Sequence, residues 1–113
     1  MEENSPIQNS RNAKIEEQVR EIAARFIERE TNKTALITIN RVELFERGRK
    51  AMLYISVLPE DGEDSAINFL KRKRAEIRDE VKKGLNIRTI PFLDVSIDVG
   101  EKARRHIDEL LKE

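Results

Sequence analysis

The sequence predicts one α+β domain in two layers, with helices packed on one face of a three-stranded sheet and a short helix at the C-terminus. Three observations predict it. The chain has 113 residues, one domain's worth and enough to bury a core without disulfides or metal. Its apolar residues recur with helical period in three regions and alternate with strand period in three others. Turn-forming residues separate those regions.

Met1–Ser10 is polar, holds Pro6 and has no apolar period, so residues 1–10 are expected to be a disordered tail ahead of a domain spanning 11–113. Ile15, Val19, Ile22, Ala23, Phe26 and Ile27 then fall on one helical face, which predicts a helix from about Asn12, its N-cap, to Glu30. Thr31-Asn32-Lys33 stops it. Thr34–Leu44 is rich in Ile, Leu, Val and Thr and reads as a strand, with Ile37 and Ile39 on one face and Leu36, Thr38, Val42 and Leu44 on the other. Gly48, in the polar stretch Glu46–Lys50, takes positive φ without cost. Ala51–Leu58 follows as a second strand, with Ala51, Leu53, Ile55 and Val57 facing inward, so the two form an antiparallel hairpin.

Pro59-Glu60-Asp61-Gly62 ends the hairpin, and Glu63 or Asp64 starts a helix, where acidic groups suit the positive dipole end. Its apolar face runs through Ala66, Ile67, Phe69 and Leu70 and resumes at Ile77, Val81 and Leu85, but position 74 is arginine. A break near Lys73–Ala75 explains that interruption, and Gly84 ends the second half. Pro91 leads into a third strand, Phe92–Val99, with Leu93, Val95, Ile97 and Val99 inside and Asp94, Ser96 and Asp98 outside. Phe26, Phe69 and Phe92 are expected to pack. After Gly100, Glu101–Glu113 reads as a terminal helix carrying Ala103, Ile107, Leu110 and Leu111. The order α-β-β-α-α-β matches the type II KH topology; the ferredoxin-like competitor needs a fourth strand, for which there is no segment.

The 22 Lys/Arg balance 22 Asp/Glu, but the charge is segregated. Residues 53–68 carry four acidic groups and no basic ones, whereas residues 69–93 hold eight basic groups against three acidic, a net of +5. Salt screens charges beyond about 8–10 Å, so local composition governs the potential and a zero total does not exclude an anionic partner.

Several function classes drop out. Cysteine is absent, which excludes disulfides, a thiol nucleophile and Cys-based zinc sites. No P-loop, dinucleotide glycine fingerprint or nucleophile elbow is present. The lone His106 has no second member of a catalytic pair, and Glu60–Asp64 lacks the spacing of an EF-hand loop. No enzyme activity, cofactor, metal or small-molecule substrate is implied. No apolar run approaches the roughly 18 residues of a membrane span and the N-terminus lacks a signal core, so a cytoplasmic protein is expected.

The segment Lys71-Arg72-Lys73-Arg74 points to chemistry. At about 100° per residue, four consecutive cations cover most of a helix's circumference, so either one of them faces the sheet or the helix breaks. A break that opens backbone N–H groups beside several cations is an anion site, the way a KH domain clamps a nucleic-acid backbone. Arg78, Lys82 and Lys83 extend the patch. The competing reading is a solvated face in a highly charged chain.

Taken together, Leu36-Ile37-Thr38-Ile39-Asn40-Arg41-Val42-Glu43-Leu44, Ala51–Val57, Arg74-Ala75-Glu76-Ile77-Arg78 with Leu85, Arg88, Pro91 and Leu93, and Ile107-Asp108-Glu109-Leu110-Leu111 resemble the bacterial ribosome-binding factor A family over residues 11–113. The resemblance implies a KH-like RNA-binding domain and a non-enzymatic factor that binds the free 30S subunit and its 16S rRNA, assists 16S rRNA maturation and small-subunit assembly, and acts as a monomer. It places the family's Ala-x-Gly kink on Lys73, Arg74 and Ala75, with both small residues changed, which leaves the sharpness of the kink open. Arg72, Lys73, Arg74, Arg78, Lys82 and Lys83 are the expected phosphate contacts, with Arg41 and Arg88 as weaker candidates. The alternative is a small α+β protein–protein adaptor that does not bind nucleic acid.

Overall fold

The central strand organises the molecule. In a computed structural model that describes the backbone of residues 6–112 and the side chains of residues 11–112, the elements run α1 (Pro6–Glu30), β1 (Leu36–Phe45), β2 (Lys50–Leu58), α2 (Glu63–Arg72), α3 (Arg74–Gly84), β3 (Phe92–Ile97) and α4 (Val99–Leu111). A single 3-10 turn, Glu60–Gly62, leads into α2. The strand order is β1-β2-β3. β1 pairs antiparallel with β2, and β3 pairs parallel, with Lys50 beside Phe92 and Ile55 beside Ile97. A parallel neighbour needs a crossover, and α2 with α3 supplies it.

β2 shows why one sheet face carries all the helices. Ala51, Leu53, Ile55 and Val57 are sealed, while Met52, Tyr54 and Ser56 are half-buried on the other side. Onto the sealed face α1 lays Val19, Ala23 and Phe26, α2 lays Ala66 and Leu70, and α3 lays Ile77 and Val81. Each large side chain buried this way contributes about 1.5–3 kcal/mol. α1 and α3 approach closely at Gly84, where an added Cβ would stand 3.0 Å from the Ile22 Cδ1.

The strand faces predicted for β1 need correction. Ile39 and Val42 are both buried, and Ile37 and Leu44 both pack against the core, although strict alternation would divide them. A β-bulge resolves this. Ile39 sits opposite Ile55 and Arg41 opposite Tyr54, so Asn40 is an extra residue that reverses the facing of everything after it. Its side-chain amide donates to Ser56 Oγ (2.7 Å) and to Asp98 Oδ2 (3.1 Å).

Other boundaries shift for local reasons. α1 begins at Pro6 where Asn12 was predicted, since proline's missing N–H is harmless in a first turn. Half of the expected tail is therefore helical, and residues 1–5 lie outside the described residues. β3 ends at Ile97, because the Asp98 carboxylate caps the next helix by accepting from the Glu101 N–H (3.1 Å). Val99, expected inside, consequently opens α4 and is 73% exposed. Phe92, expected to pack, is 49% exposed.

α4 stands apart from the layered core and buries no residue. Polar contacts hold it against the start of α2: Lys102 with Glu63 (3.0 Å), and His106 (2.7 Å) and Arg105 (3.8 Å) with Glu60.

Deleting Asn40 should leave Ile39, Val42 and Leu44 in plain alternation on the core face and remove only the bulge with its hydrogen bonds to Ser56 and Asp98. Urea denaturation should then show a loss of about 1–3 kcal/mol, the weight of those two hydrogen bonds, and the cooperative transition should be kept. The α4 clasp should loosen in acid. The His106 hydrogen bond holds the Glu60 carboxyl below its ordinary pKa. At Asp98, burial pushes upward, but hydrogen bonds from Asn40 and from the Glu101 N–H outweigh it and leave this carboxyl low as well. Depressed carboxylates contribute stability that is full above the ordinary carboxylate range and lost as pH falls through their lowered values. Amide exchange in α4 should therefore accelerate below about pH 4 and before exchange in β2 does.

Candidate nucleic-acid interface

The four-cation segment falls on the α2–α3 junction. α2 closes at Arg72, and Lys73 alone leaves helical geometry, at φ −100° and ψ 6°. Its N–H is shared between the Phe69 and Leu70 carbonyls (3.1 Å each), and its carbonyl accepts from Ile77 (3.0 Å), so one residue ends one helix and starts the next. No side chain caps α3, whose first turn begins directly beside the cations. The kink therefore exists without the small residues of the Ala-x-Gly pattern, because Lys73 adopts a backbone conformation open to any residue.

The break also explains the arginine at position 74. β3 is an edge strand, and the Arg74 guanidinium reaches over that edge to stand 3.3 Å from the Asp94 carboxylate and 5.1 Å from the centre of the Phe92 ring. A cation over an exposed ring contributes about 0.5–1 kcal/mol. Together Lys71, Arg72, Arg74, Ala75, Arg78, Phe92 and Leu93 line an open groove of about 430 Å³ with cationic walls and a half-exposed aromatic side. Such a groove offers charge to a phosphodiester and a flat face to a base.

The structure divides the other expected residues. Lys73 leans on Glu76 (3.4 Å), a surface pair of little energetic weight. Arg78 supports the backbone, since its Nε donates to the Pro91 carbonyl (3.0 Å) and its Nη2 to the Ile90 carbonyl (2.9 Å), which pins the approach to β3. Lys82 lies one turn beyond Arg78 on α3, exposed. Lys83 turns toward α1, beside Ile22 and Arg25. Arg41 is on the opposite edge strand, 3.9 Å above the Tyr54 ring and 3.0 Å from Glu43. Arg88 lines a different groove with Arg11 and Arg47. The groove thus gathers Arg72, Arg74 and Arg78 of the expected residues; Lys73 sits at the break outside its lining, as do Lys82, Lys83, Arg41 and Arg88.

Sequence reasoning missed Lys71 and Phe92 as groove residues. Phe92 was legible in principle: it is out of phase with Leu93 and Val95, so alternation places it with Asp94 on the open face. Among the described residues, no group of three or more His, Asp or Glu side chains is placed to hold a metal ion.

Comparison with known proteins gives a consistent result. The family model for ribosome-binding factor A matches residues 11–111. A ribosome-binding factor A of Heliobacterium modesticaldum is 31% identical, over 88% of this chain and 88% of that protein. One of Fervidobacterium nodosum is 35% identical, over 68% of this chain and 62% of that protein. The crystal structure of ribosome-binding factor A from Thermus thermophilus superposes with a TM-score of 0.68 at 22% identity, over 76% of this chain and 94% of that one. A homology model of the Thermus thermophilus factor, fitted into the cryo-EM map of its complex with the 30S subunit, gives 0.62 at 22% identity, over 75% and 92%. At these identities the structural likeness is one of fold.

The two roles on α3 should separate experimentally. Arg78→Gln removes both carbonyl contacts and should cost about 1 kcal/mol or more in urea denaturation. Lys82→Gln, one turn on and exposed, should stay within about 0.5 kcal/mol of the parent.

Proposed function

The chain belongs to the ribosome-binding factor A family, and from that premise we propose that it binds the free 30S ribosomal subunit through 16S rRNA and assists 16S rRNA maturation and subunit assembly. One observation carries the reading furthest: four consecutive cations diverge at a helix break, beside the uncapped start of α3 and a half-exposed phenylalanine. Arg72, Lys73 and Arg74 meet phosphates there, and Phe92, with Arg74 over it, offers a stacking face for a base. Lys82 adds charge along α3, and Lys83, Arg41 and Arg88 lie at the periphery.

The work is binding without bond chemistry. The protein acts as a cytoplasmic monomer, with no cofactor or small-molecule substrate. Its own acidic loop is occupied by α4, since Glu60 and Glu63 take Arg105, His106 and Lys102. The junction cations consequently keep their field toward solvent. A neutral total with one basic face favours selective over indiscriminate RNA binding.

A second reading, a protein–protein adaptor, draws on α4, whose Val99, Ile107, Leu110 and Leu111 are all more than half exposed. Size-exclusion chromatography with and without nuclease separates the two, since an adaptor complex survives nuclease.

Cosedimentation with purified small subunits across a salt series tests the proposal. Lys71→Glu combined with Arg72→Glu should reduce the slope of log affinity against log salt by roughly 0.7–0.9 per lost phosphate contact and weaken binding about tenfold or more. Unchanged cosedimentation of that variant would overturn the assignment of the groove.

A further inference from the structure

A second cationic groove lies on the far side of the loop that enters β3. It measures about 250 Å³, and three arginines from three distant segments meet in it: Arg11 of α1, Arg47 of the β1–β2 turn and Arg88 of the α3–β3 loop. Asn12 and Thr89 add neutral hydrogen-bonding groups, and no carboxylate belongs to its lining. Among the described residues, neither Arg47 nor Arg88 has a carboxylate within ion-pair distance. Two nearby carboxylates are engaged elsewhere: Glu46 stands 3.9 Å from Lys50, and Glu16 accepts from the Leu44 N–H at 2.9 Å.

The turn that carries Arg47 is held in an unfavourable conformation. Glu46 and Arg47 take φ 53° and 59°, and Gly48 takes φ 85°, closed by a Gly48 N–H to Phe45 carbonyl bond of 3.0 Å. Such a turn favours Asn-Gly at its two central positions, and side chains there are strained. A bulky cation at a site that suits glycine is a strained position with a candidate use.

The groove and the junction are lined by consecutive residues of the chain. Pro91 lines the former and Phe92 the latter, and Arg78 of the junction holds the Pro91 carbonyl. The Phe92 N–H donates to the Arg49 carbonyl at 2.8 Å, which fixes the base of the hairpin to the same point. We propose that this groove binds a second phosphodiester of the same RNA, so that a strand crossing Pro91 is gripped on both sides of the loop. The inference rests on the RNA-binding reading above, and it adds a site, a ligand class and a direction for the strand.

An NMR titration of the ¹⁵N-labelled full chain with a uridine oligonucleotide of about twelve nucleotides tests it, with inorganic phosphate as a separate arm. The Gly48 and Thr89 amides should shift together with those of Ala75 and Phe92. Arg47→Gly should abolish the first pair of shifts, keep the second, weaken binding several-fold and lower the salt slope by roughly 0.7. Its melting temperature should be no lower than the parent's, because glycine accepts that φ freely, so misfolding is not an explanation. Shifts confined to Ala75 and Phe92, or parental affinity in Arg47→Gly, would overturn the second site and leave the junction standing. Gly48 and Thr89 responding to phosphate but not to the oligonucleotide would overturn it as an RNA site. No shift at either place would remove the RNA-binding reading itself.

Discussion

The parallel pairing of β3 with β2 is the constraint on which the rest depends. It obliges the chain to leave the end of β2, cross over one face of the sheet and re-enter beside Lys50. α2 and α3 make that crossing, and both must lay their apolar positions, Ala66 and Leu70, then Ile77 and Val81, on the same sealed face. Between them the sequence holds Lys71–Arg74, which cannot be buried. The break at Lys73 reconciles the two demands: the apolar faces stay on the sheet, and the cations splay around the open edge of β3.

That arrangement links packing to electrostatics. Arg74 stands where a continuous helix would carry a core residue, and it survives because β3 is an edge strand that offers Asp94 and Phe92 to its guanidinium. The net charge of zero hides a further division. Two of the four acidic residues at the entry to α2, Glu60 and Glu63, are taken up by α4, which has no buried residue and attaches through Lys102, Arg105 and His106. Acid meets base within the molecule at that end, and residues 69–93 keep a local excess of cations.

The hairpin does comparable work at the other end of β3. The Asn40 bulge keeps Val42 and Leu44 in the core after Ile39, and it turns Arg41 to the open face beside Tyr54. Beyond it the strained Glu46-Arg47 turn brings a cation to the loop before β3. Both are local departures from regular geometry, and each moves a charged side chain to a surface it would not otherwise reach.

The sequence by itself determined the element order, the core residues of α1, β2, α2 and α3, and the place of the helix break, because apolar periodicity and turn chemistry are local properties. Four consecutive cations, with arginine at an expected apolar position, left either a cation facing the sheet or a break, and the resemblance in residues 36–57, 74–93 and 107–111 was enough to indicate the family. Only the tertiary structure decided the strand order, the reversal of β1's faces and the company each cation keeps. A one-residue bulge leaves no periodic signal before the register is known, so Val42 and Leu44 read as facing away from Ile39. Likewise Arg78 looked like one more phosphate contact until the Ile90 and Pro91 carbonyls were found beside it. Arg11, Arg47 and Arg88 are far apart in the chain, and only the folded backbone places them in one groove.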